Sequence, residues 1–210
     1  MEKNGLLVIA GEKTGARINL KKGFLEYLDS GSGNLFADKA AGIHLGFGGR
    51  KIKYLIKNKK DMLSAFFYDF SGKSVKIIFY KDGLCRIKSA ELNPFKLSPV
   101  CIEITMDERF KKAFWFGRKD KAGFTELFPL ISVNADEGGN EISENTTTGM
   151  NVRFIRAVSG TETLMFKACN KNYYNFNSTG KNISICSERK IDLIISSEPD
   201  SGESTQGDSM

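Results

Sequence analysis

Residues 74–88 read SVKIIFYKDGLCRIK, and this stretch decides the fold class. β-Branched and aromatic residues dominate Ser74–Tyr80, and the turn Lys81-Asp82-Gly83 leads into a second apolar run, Leu84–Lys88. Two such runs joined by an Asp-Gly turn are typical of a β-hairpin. The sequence on either side has the same character, with short apolar runs separated by turns rich in glycine and asparagine. The chain is therefore predicted to be mainly β.

The other runs of this kind place strands along the whole chain. Two segments, Asp61–Phe70 and Phe124–Ile131, fit either a short helix or a strand. We predict an antiparallel sheet, barrel or sandwich with one or two short helices and a disordered acidic C-terminal tail. The remaining predicted strands of the first 133 residues are Gly5–Ala10, Ala16–Leu20, Gly23–Leu28, Ile43–Phe47, Lys51–Lys57, Val100–Met106 and Lys111–Gly117.

Charge divides the chain into four parts. Residues 1–133 carry 24 Lys and Arg against 14 Asp and Glu and form a basic β body. Residues 134–149 carry four acids and no base, which indicates an acidic loop or linker. Residues 150–195 again alternate like strands, and this β extension is expected to pack on the body because it is small for a separate domain. Residues 196–210, rich in Ser, Gly and acids, are expected to form a disordered tail.

The apolar runs and the cysteines bear on where the protein resides. No apolar run approaches the roughly 20 residues of a membrane-spanning helix, and the N-terminus has no signal-peptide pattern. The cysteines Cys85, Cys101, Cys169 and Cys186 form no C-x-x-C pair, and we expect four buried thiols. The expected location is the cytoplasm, with the nucleus or, for a viral protein, the host cytoplasm as alternatives. A secreted protein and a membrane partner are not expected.

The densest cationic segment is residues 50–60, in which six of eleven residues are basic. On a strand, Ile52, Tyr54 and Ile56 face the core and the lysines between them face outward. A row of ammonium groups on one strand face suits successive phosphates, although an outer face or a protected edge strand explains it equally. The candidate nucleic-acid-binding residues of this segment are Arg50, Lys51, Lys53, Lys57, Lys59 and Lys60.

A second cationic segment, residues 109–121, interleaves bases with aromatic rings and contains the only tryptophan. Exposed rings beside cations bind single-stranded nucleic acid by stacking, which is worth about 1–3 kcal/mol per base. The alternative is that these rings simply belong to the core. The candidate residues of this segment are Lys111, Lys112, Phe114, Trp115, Phe116, Arg118 and Lys119.

Catalytic and cofactor motifs are essentially absent from the sequence. The only histidine, His44, has no second imidazole with which to share a metal and is expected to be structural. The glycine clusters near residues 31–33 and 46–49 match no phosphate-binding loop. We therefore expect no metal, no cofactor and no enzymatic activity, although a site that one sequence does not display stays open.

The sequence favours a non-catalytic protein that binds nucleic acid, single-stranded and with weak sequence specificity. In this interpretation the acidic tail limits affinity or recruits a protein partner, and a homo-oligomer is compatible with the chain. The alternative is a structural or protein–protein interaction β module, for example a viral or assembly protein, with no nucleic-acid role. No string of residues is specific enough to identify a family.

Overall fold

The computed structural model describes residues 2–10, 15–29, 36, 41–47, 50–93, 95, 99–117, 122–126, 146–159, 162–169 and 172–199. The first ten strands are β1 Glu2–Lys3, β2 Leu6–Ala10, β3 Gly15–Asn19, β4 Phe24–Asp29, β5 Gly42–His44, β6 Lys53–Lys59, β7 Met62–Tyr68, β8 Lys73–Tyr80, β9 Cys85–Glu91 and β10 Val100–Thr105. The others are β11 Lys112–Gly117, β12 Ala122–Glu126, β13 Thr146–Val158, β14 Glu162–Ala168, β15 Tyr174–Thr179, β16 Asn182–Ser187 and β17 Lys190–Pro199.

These strands form one continuous antiparallel ladder. Its order of pairing is β1-β2-β3-β4-β5-β10-β16-β15-β13-β14-β17-β9-β8-β7-β6. Strands β15 and β14 share one edge of β13, whereas β11 pairs with the other edge and β12 lies beyond β11. The long strand β13 pairs with β15 in its first part and with β14 in its last part. The register shifts between Gly149 and Val152, where β13 passes from one partner to the other.

The ladder folds into two layers around a single core. Ile18, Ile43 and Ile104 from the first half of the ladder share one buried cluster with Phe67, Ile77 and Leu193 from the second half. Inward residues alternate with outward ones, as in β10, where Ile102 and Ile104 are buried and Glu103 is exposed. This alternation is the pattern of a β-sandwich, in which each sheet buries one face.

The hairpin predicted at residues 74–88 forms from β8 and β9. Tyr80 N donates to Leu84 O at 2.9 Å, and Gly83 N donates to Tyr80 O at 3.2 Å. Gly83 has a φ of +94°, a backbone conformation that residues other than glycine rarely adopt. The prediction of a mainly β, antiparallel fold is confirmed.

The predicted short helices are not confirmed. The ambiguous segment Asp61–Phe70 contains strand β7, which lies between β6 and β8. The start of Phe124–Ile131 belongs to β12, and residues 127–131 lie outside the described part of the chain. Within the described residues, no helix is long and apolar enough to cross a membrane.

The predicted C-terminal tail is not confirmed, and its first four residues, 196–199, belong to β17, which extends to Pro199. The additional residues of β17 pair with β14, Thr163 opposite Glu198 and Glu162 opposite Pro199. The rest of the predicted tail, residues 200–210, lies outside the described residues, as does most of the acidic segment 134–149.

The cysteines do not all remain thiols. Cys101 on β10 and Cys186 on β16 are ladder partners and form a disulfide, whereas Cys85 and Cys169 are free and buried. The expectation of four buried thiols was therefore wrong for one pair. The reason is that the two cysteines are 85 residues apart in the chain, and only the pairing of β10 with β16 brings them together.

Candidate functional site

A groove of about 680 Å³ opens beside the β3–β4 turn, within the roughly 300–1,000 Å³ typical of small-ligand sites. Four of the nine lining residues are cations, two are tyrosines and none is acidic. This groove, called the basic groove below, is lined by Gly5, Leu20, Lys21, Arg50, Lys51, Ile52, Lys53, Tyr54 and Tyr68.

The β1–β2 turn and the β3–β4 turn form one wall of the basic groove. Leu20 N donates to Gly5 O at 2.8 Å, which ties the β3–β4 turn to the β1–β2 turn. Gly5 has a φ of +80°, and a Cβ atom there would lie 3.2 Å from the Lys21 side chain. A glycine at this position therefore lets the lysine stem lie against the backbone.

The opposite wall is held by an ion pair between Arg50 and Asp69. Arg50 Nη1 lies 3.1 Å from Asp69 Oδ2 and also donates to Ser71 Oγ. The Asp69 side chain is 1% exposed and accepts further hydrogen bonds from Ser71 N at 2.9 Å and Lys73 N at 3.1 Å. Burial disfavours its charge, but the hydrogen bonds from Ser71, Arg50 and Lys73 outweigh burial and lower its pKa. Asp69 is thus an orienting carboxylate rather than a proton acceptor.

A lateral row of polar side chains crosses the outer face of the first layer. His44 on β5 is the ladder partner of Phe24 on β4 and of Glu103 on β10. Glu103 is in turn opposite Ser184 on β16, and Ser184 is opposite Asn177 on β15. His44, Glu103 and Asn177 are exposed and Ser184 is half-buried. This set is called the His44 row below.

The His44 row brings an imidazole and a carboxylate together. Directly opposite residues in an antiparallel pair have Cβ atoms about 4.5–5.5 Å apart, so His44 and Glu103 can contact the same small group. The rings of Phe24 and His44 lie with their centroids 4.5 Å apart and their planes tilted by 44°. An acid–base pair beside an aromatic ring is an arrangement suited to proton transfer on a bound organic molecule.

The basic groove and the His44 row lie at the same end of the first layer. Phe24 follows Lys21 by three residues, so their Cα atoms are at most about 10 Å apart. Leu45, the residue after His44, donates its backbone N–H to Gly23 O at 2.8 Å, and Gly23 belongs to the same turn as Lys21. The Lys21 turn is therefore a backbone neighbour of β5, the strand of His44.

The first predicted cationic segment is only partly in this site. Arg50, Lys51 and Lys53 line the basic groove, whereas Lys57, Lys59 and Lys60 lie further along, exposed, and do not line it. The predicted inward face of the strand is also incomplete, because Ile56 is 38% exposed. The reason is that β6 ends the ladder and pairs only with β7 among the described strands.

The second predicted segment lies on β11, away from the groove. Trp115 is half-buried against the core, and its Nε1 is buried with no hydrogen-bond partner within the described part of the chain. Phe116 is 39% exposed, and its ring lies 5.6 Å from that of Phe154. Lys111 and Lys112 are exposed, Phe114 is half-buried, and Arg118 and Lys119 lie outside the described residues.

The two cationic segments do not form one surface. Strands β13, β14, β17, β9, β8 and β7 lie between β11 and β6 in the ladder. Seven strand spacings of about 4.8 Å give roughly 34 Å along the sheet. The described residues of the two segments therefore lie far apart along the ladder, and they show no continuous cationic groove with the indole of Trp115 inside it.

Sequence reasoning missed His44, Glu103, Asp69 and the two tyrosines. His44 was expected to be structural because it stands alone in the sequence. Its carboxylate neighbour Glu103 is on a strand distant in the chain, and no local spacing indicates the pairing of β5 with β10. Tyr54 packs against the core as expected, but it is only half-buried and also lines the basic groove with Tyr68.

The chain matches no known family profile and no curated protein sequence. Among solved structures, it is similar to a provisionally assigned aldose 1-epimerase from Escherichia coli K12, with a TM-score of 0.51 and 7% sequence identity. That alignment covers 92% of this chain and 99% of the other. A galactose mutarotase-like protein from Lactobacillus casei aligns with a TM-score of 0.46 and 8% identity, over 93% of this chain and 100% of that one.

These similarities correct the functional interpretation of the sequence. The prediction of a non-catalytic nucleic-acid-binding protein with a single-stranded nucleic-acid partner was wrong, because the E. coli protein with a similar fold is described as an aldose 1-epimerase. The expectation that the chain is not an enzyme is contradicted by the same finding. The similarity shows that the chain and the E. coli protein share a fold.

Proposed function

We propose that this chain is a carbohydrate-active enzyme that interconverts the two anomers of an aldose, with the His44 row as its reaction site. The observation that carries the proposal is the cross-strand pairing of His44 with Glu103 on an exposed sheet face. The fold shared with the E. coli protein supports it, since that protein is described as an aldose 1-epimerase.

Exchange of anomers requires one acid and one base at the hemiacetal. The base takes the proton of the O1 hydroxyl while the acid gives a proton to the ring oxygen, the C1–O5 bond breaks, and C1 becomes an aldehyde. Rotation about C1–C2 and the reverse proton transfers close the ring on the opposite face of C1. An imidazole and a carboxylate side by side supply both roles, and the two exchange roles on closure.

The rest of the His44 row suits a sugar. The ring of Phe24 lies at its end, is 9% exposed and packs against the imidazole of His44. The amide of Asn177 and the hydroxyl of Ser184 lie beyond Glu103 and can hydrogen-bond sugar hydroxyls. The amide and hydroxyl groups of the row therefore provide hydrogen bonding beside the acid–base pair.

Polarimetry tests the proposal. Freshly dissolved α-anomers of D-glucose, D-galactose and D-glucose 6-phosphate are followed to equilibrium, and the protein is expected to accelerate at least one above its spontaneous rate. His44→Gln and Glu103→Gln are each expected to lower kcat by about 100-fold or more. Glu108→Gln, at an exposed position outside the row, serves as the charge-matched control. Unchanged rates in both site variants, or no acceleration of any aldose, contradict the proposal.

A further inference from the structure

The basic groove has a chemistry that anomer exchange alone does not require. Among the described residues, its lining combines three lysines and one arginine with two tyrosines and includes no acid. A neutral sugar is held by hydrogen bonds and aromatic rings and gains little from four cations, whereas an anionic group gains from each of them.

We infer that the basic groove binds the anionic group of the sugar, so that the substrate is an aldose carrying a phosphate or a carboxylate. This inference rests on the function proposed above and names the substrate class for the same site. The shared chemistry is a compact anion attached to a sugar ring.

Arg50 is oriented for such a group before any ligand arrives. Its guanidinium is hydrogen-bonded to Asp69 and Ser71, and Asp69 is itself fixed by the backbone N–H groups of Ser71 and Lys73. The Arg50 side chain nevertheless remains 49% exposed and lines the groove. A guanidinium held by one buried carboxylate loses less conformational freedom when it binds an anion than an unrestrained one.

The lysines converge on the groove from two different parts of the chain. Lys21 comes from the β3–β4 turn, whereas Lys51 and Lys53 come from the segment that leads into β6. Lys53 Nζ lies 4.6 Å from the centroid of the Phe70 ring, which positions the ammonium group. Cations therefore lie on both walls of the groove, so an anion between the walls contacts several of them. A row of lysines on one face of a strand does not surround an anion in this way.

The tyrosines indicate that the anion is part of a larger molecule. Tyr54 and Tyr68 line the same groove, and the Tyr68 ring stacks on Phe66 with 5.6 Å between centroids. Rings fixed in this way offer a flat apolar surface that an inorganic anion does not use and that the face of a sugar does. The Lys21 turn that forms one wall of the groove is hydrogen-bonded through Gly23 O to Leu45, the residue after His44, and this directs the rest of the sugar toward β5.

Isothermal titration of the full chain tests the inference with four probes: D-glucose 6-phosphate, D-glucuronate, D-glucose and inorganic phosphate. We expect D-glucose 6-phosphate or D-glucuronate to bind at least tenfold more tightly than D-glucose and than inorganic phosphate. The two charged sugars distinguish a phosphate from a carboxylate specificity. The affinity of the tighter one is expected to fall as ionic strength rises.

Matched variants locate the binding. Lys21→Gln and Lys53→Gln are each expected to weaken binding of the charged sugar by about twofold to fivefold, the scale of one partly exposed charge interaction. Lys57→Gln and Lys59→Gln remove the same charge from β6 outside the groove and are expected to change affinity by less than the groove variants. The Kd of D-glucose should be insensitive to Lys57→Gln and Lys59→Gln, which lie outside the groove.

The possible failures are distinguishable. D-Glucose binding as tightly as both charged sugars, or Lys57→Gln weakening binding as much as Lys53→Gln, overturns the inference and leaves the proposed function standing. Inorganic phosphate binding as tightly as D-glucose 6-phosphate also overturns it, because the groove would then hold an anion alone. Neither binding nor anomer exchange with any sugar, charged or neutral, contradicts the proposed function and this inference together.

Discussion

Arg50 Nη1 lies 3.1 Å from Asp69 Oδ2, although the two residues are 19 positions apart in the chain. Their ion pair holds the segment before β6 against the turn after β7. The Arg50 side chain is 49% exposed, whereas the Asp69 side chain is 1% exposed. A carboxylate buried to this degree must keep its hydrogen bonds, because water cannot replace them. The wall of the basic groove therefore depends on Asp69 although Asp69 does not line it.

Replacement of this carboxylate is expected to destabilise the protein. Asp69→Ala leaves the backbone N–H groups of Ser71 and Lys73 without their acceptor and Arg50 without its counter-ion. The free energy of unfolding in urea should fall by about 2–4 kcal/mol. Asp61→Ala, at an exposed position before β7, should change it by less than about 0.5 kcal/mol. Equal effects of the two substitutions would refute the role given to Asp69.

The ionisation of Asp69 should also affect how the stability of the protein depends on pH. The pKa of Asp69 is lowered in the folded state, since its hydrogen bonds from Ser71, Arg50 and Lys73 outweigh the opposing effect of burial. The pKa of Asp192 is also lowered, because the hydrogen bonds from Arg86 and Cys169 outweigh its burial.

A lowered folded-state pKa stabilises the protein fully above the unfolded-state value near 4, and this contribution is lost as pH falls through the folded-state pKa. Urea unfolding at a series of pH values should show a loss of stability as pH falls below about 4. Asp69→Asn should reduce the slope of this loss. An unchanged slope in the variant would show that Asp69 has an ordinary pKa.

The disulfide between Cys101 and Cys186 should be detectable by thiol counting. Alkylation of the unfolded, unreduced chain should modify two thiols, those of Cys85 and Cys169, and prior reduction should expose four. In the folded protein Cys85 should resist alkylation, because burial raises the pKa of its thiol.

Reduction of this bond should also lower stability. The disulfide closes a loop between residues 85 apart, so its loss should lower the free energy of unfolding by about 2–4 kcal/mol. The double variant Cys101→Ser, Cys186→Ser should have the stability of the reduced protein and should not respond to reductant. Four alkylated thiols without reduction would exclude the bond.

Two phenylalanines provide a test of the core. Phe166 on β14 is 1% exposed, whereas Phe95 is 90% exposed. Phe166→Ala should lower the free energy of unfolding by about 3–5 kcal/mol, and Phe95→Ala should leave it almost unchanged. Guanidinium chloride titrations followed by circular dichroism measure both. A comparable loss from Phe95→Ala would mean that the two-layer packing is wrong.

The strands were predictable where only one face of a strand is buried. Val100–Met106 alternates between apolar and other residues, and β10 was located correctly to within one residue. The segment Asp61–Phe70 stayed ambiguous because β7 carries apolar residues on both faces, which removes the period of two.

The site was predictable only where charge is dense. Arg50, Lys51 and Lys53 stand out in the sequence and do line the basic groove. Asp69 does not stand out, because a single carboxylate within an apolar run has no spacing that marks it. The strand of Trp115 looked like a stacking surface because sequence cannot distinguish a ring that packs against the core from one that faces solvent.

The sequence by itself determined the antiparallel β class, the positions of most strands and the excess of positive charge at residues 50–60. Each of these depends on residues adjacent in the chain. Only the tertiary structure decided that β5 pairs with β10, which joins His44 to Glu103, and that β11 and β6 lie far apart. Strand neighbours are chosen by the burial and hydrogen bonding of the whole ladder at once, and no local stretch of sequence contains that information.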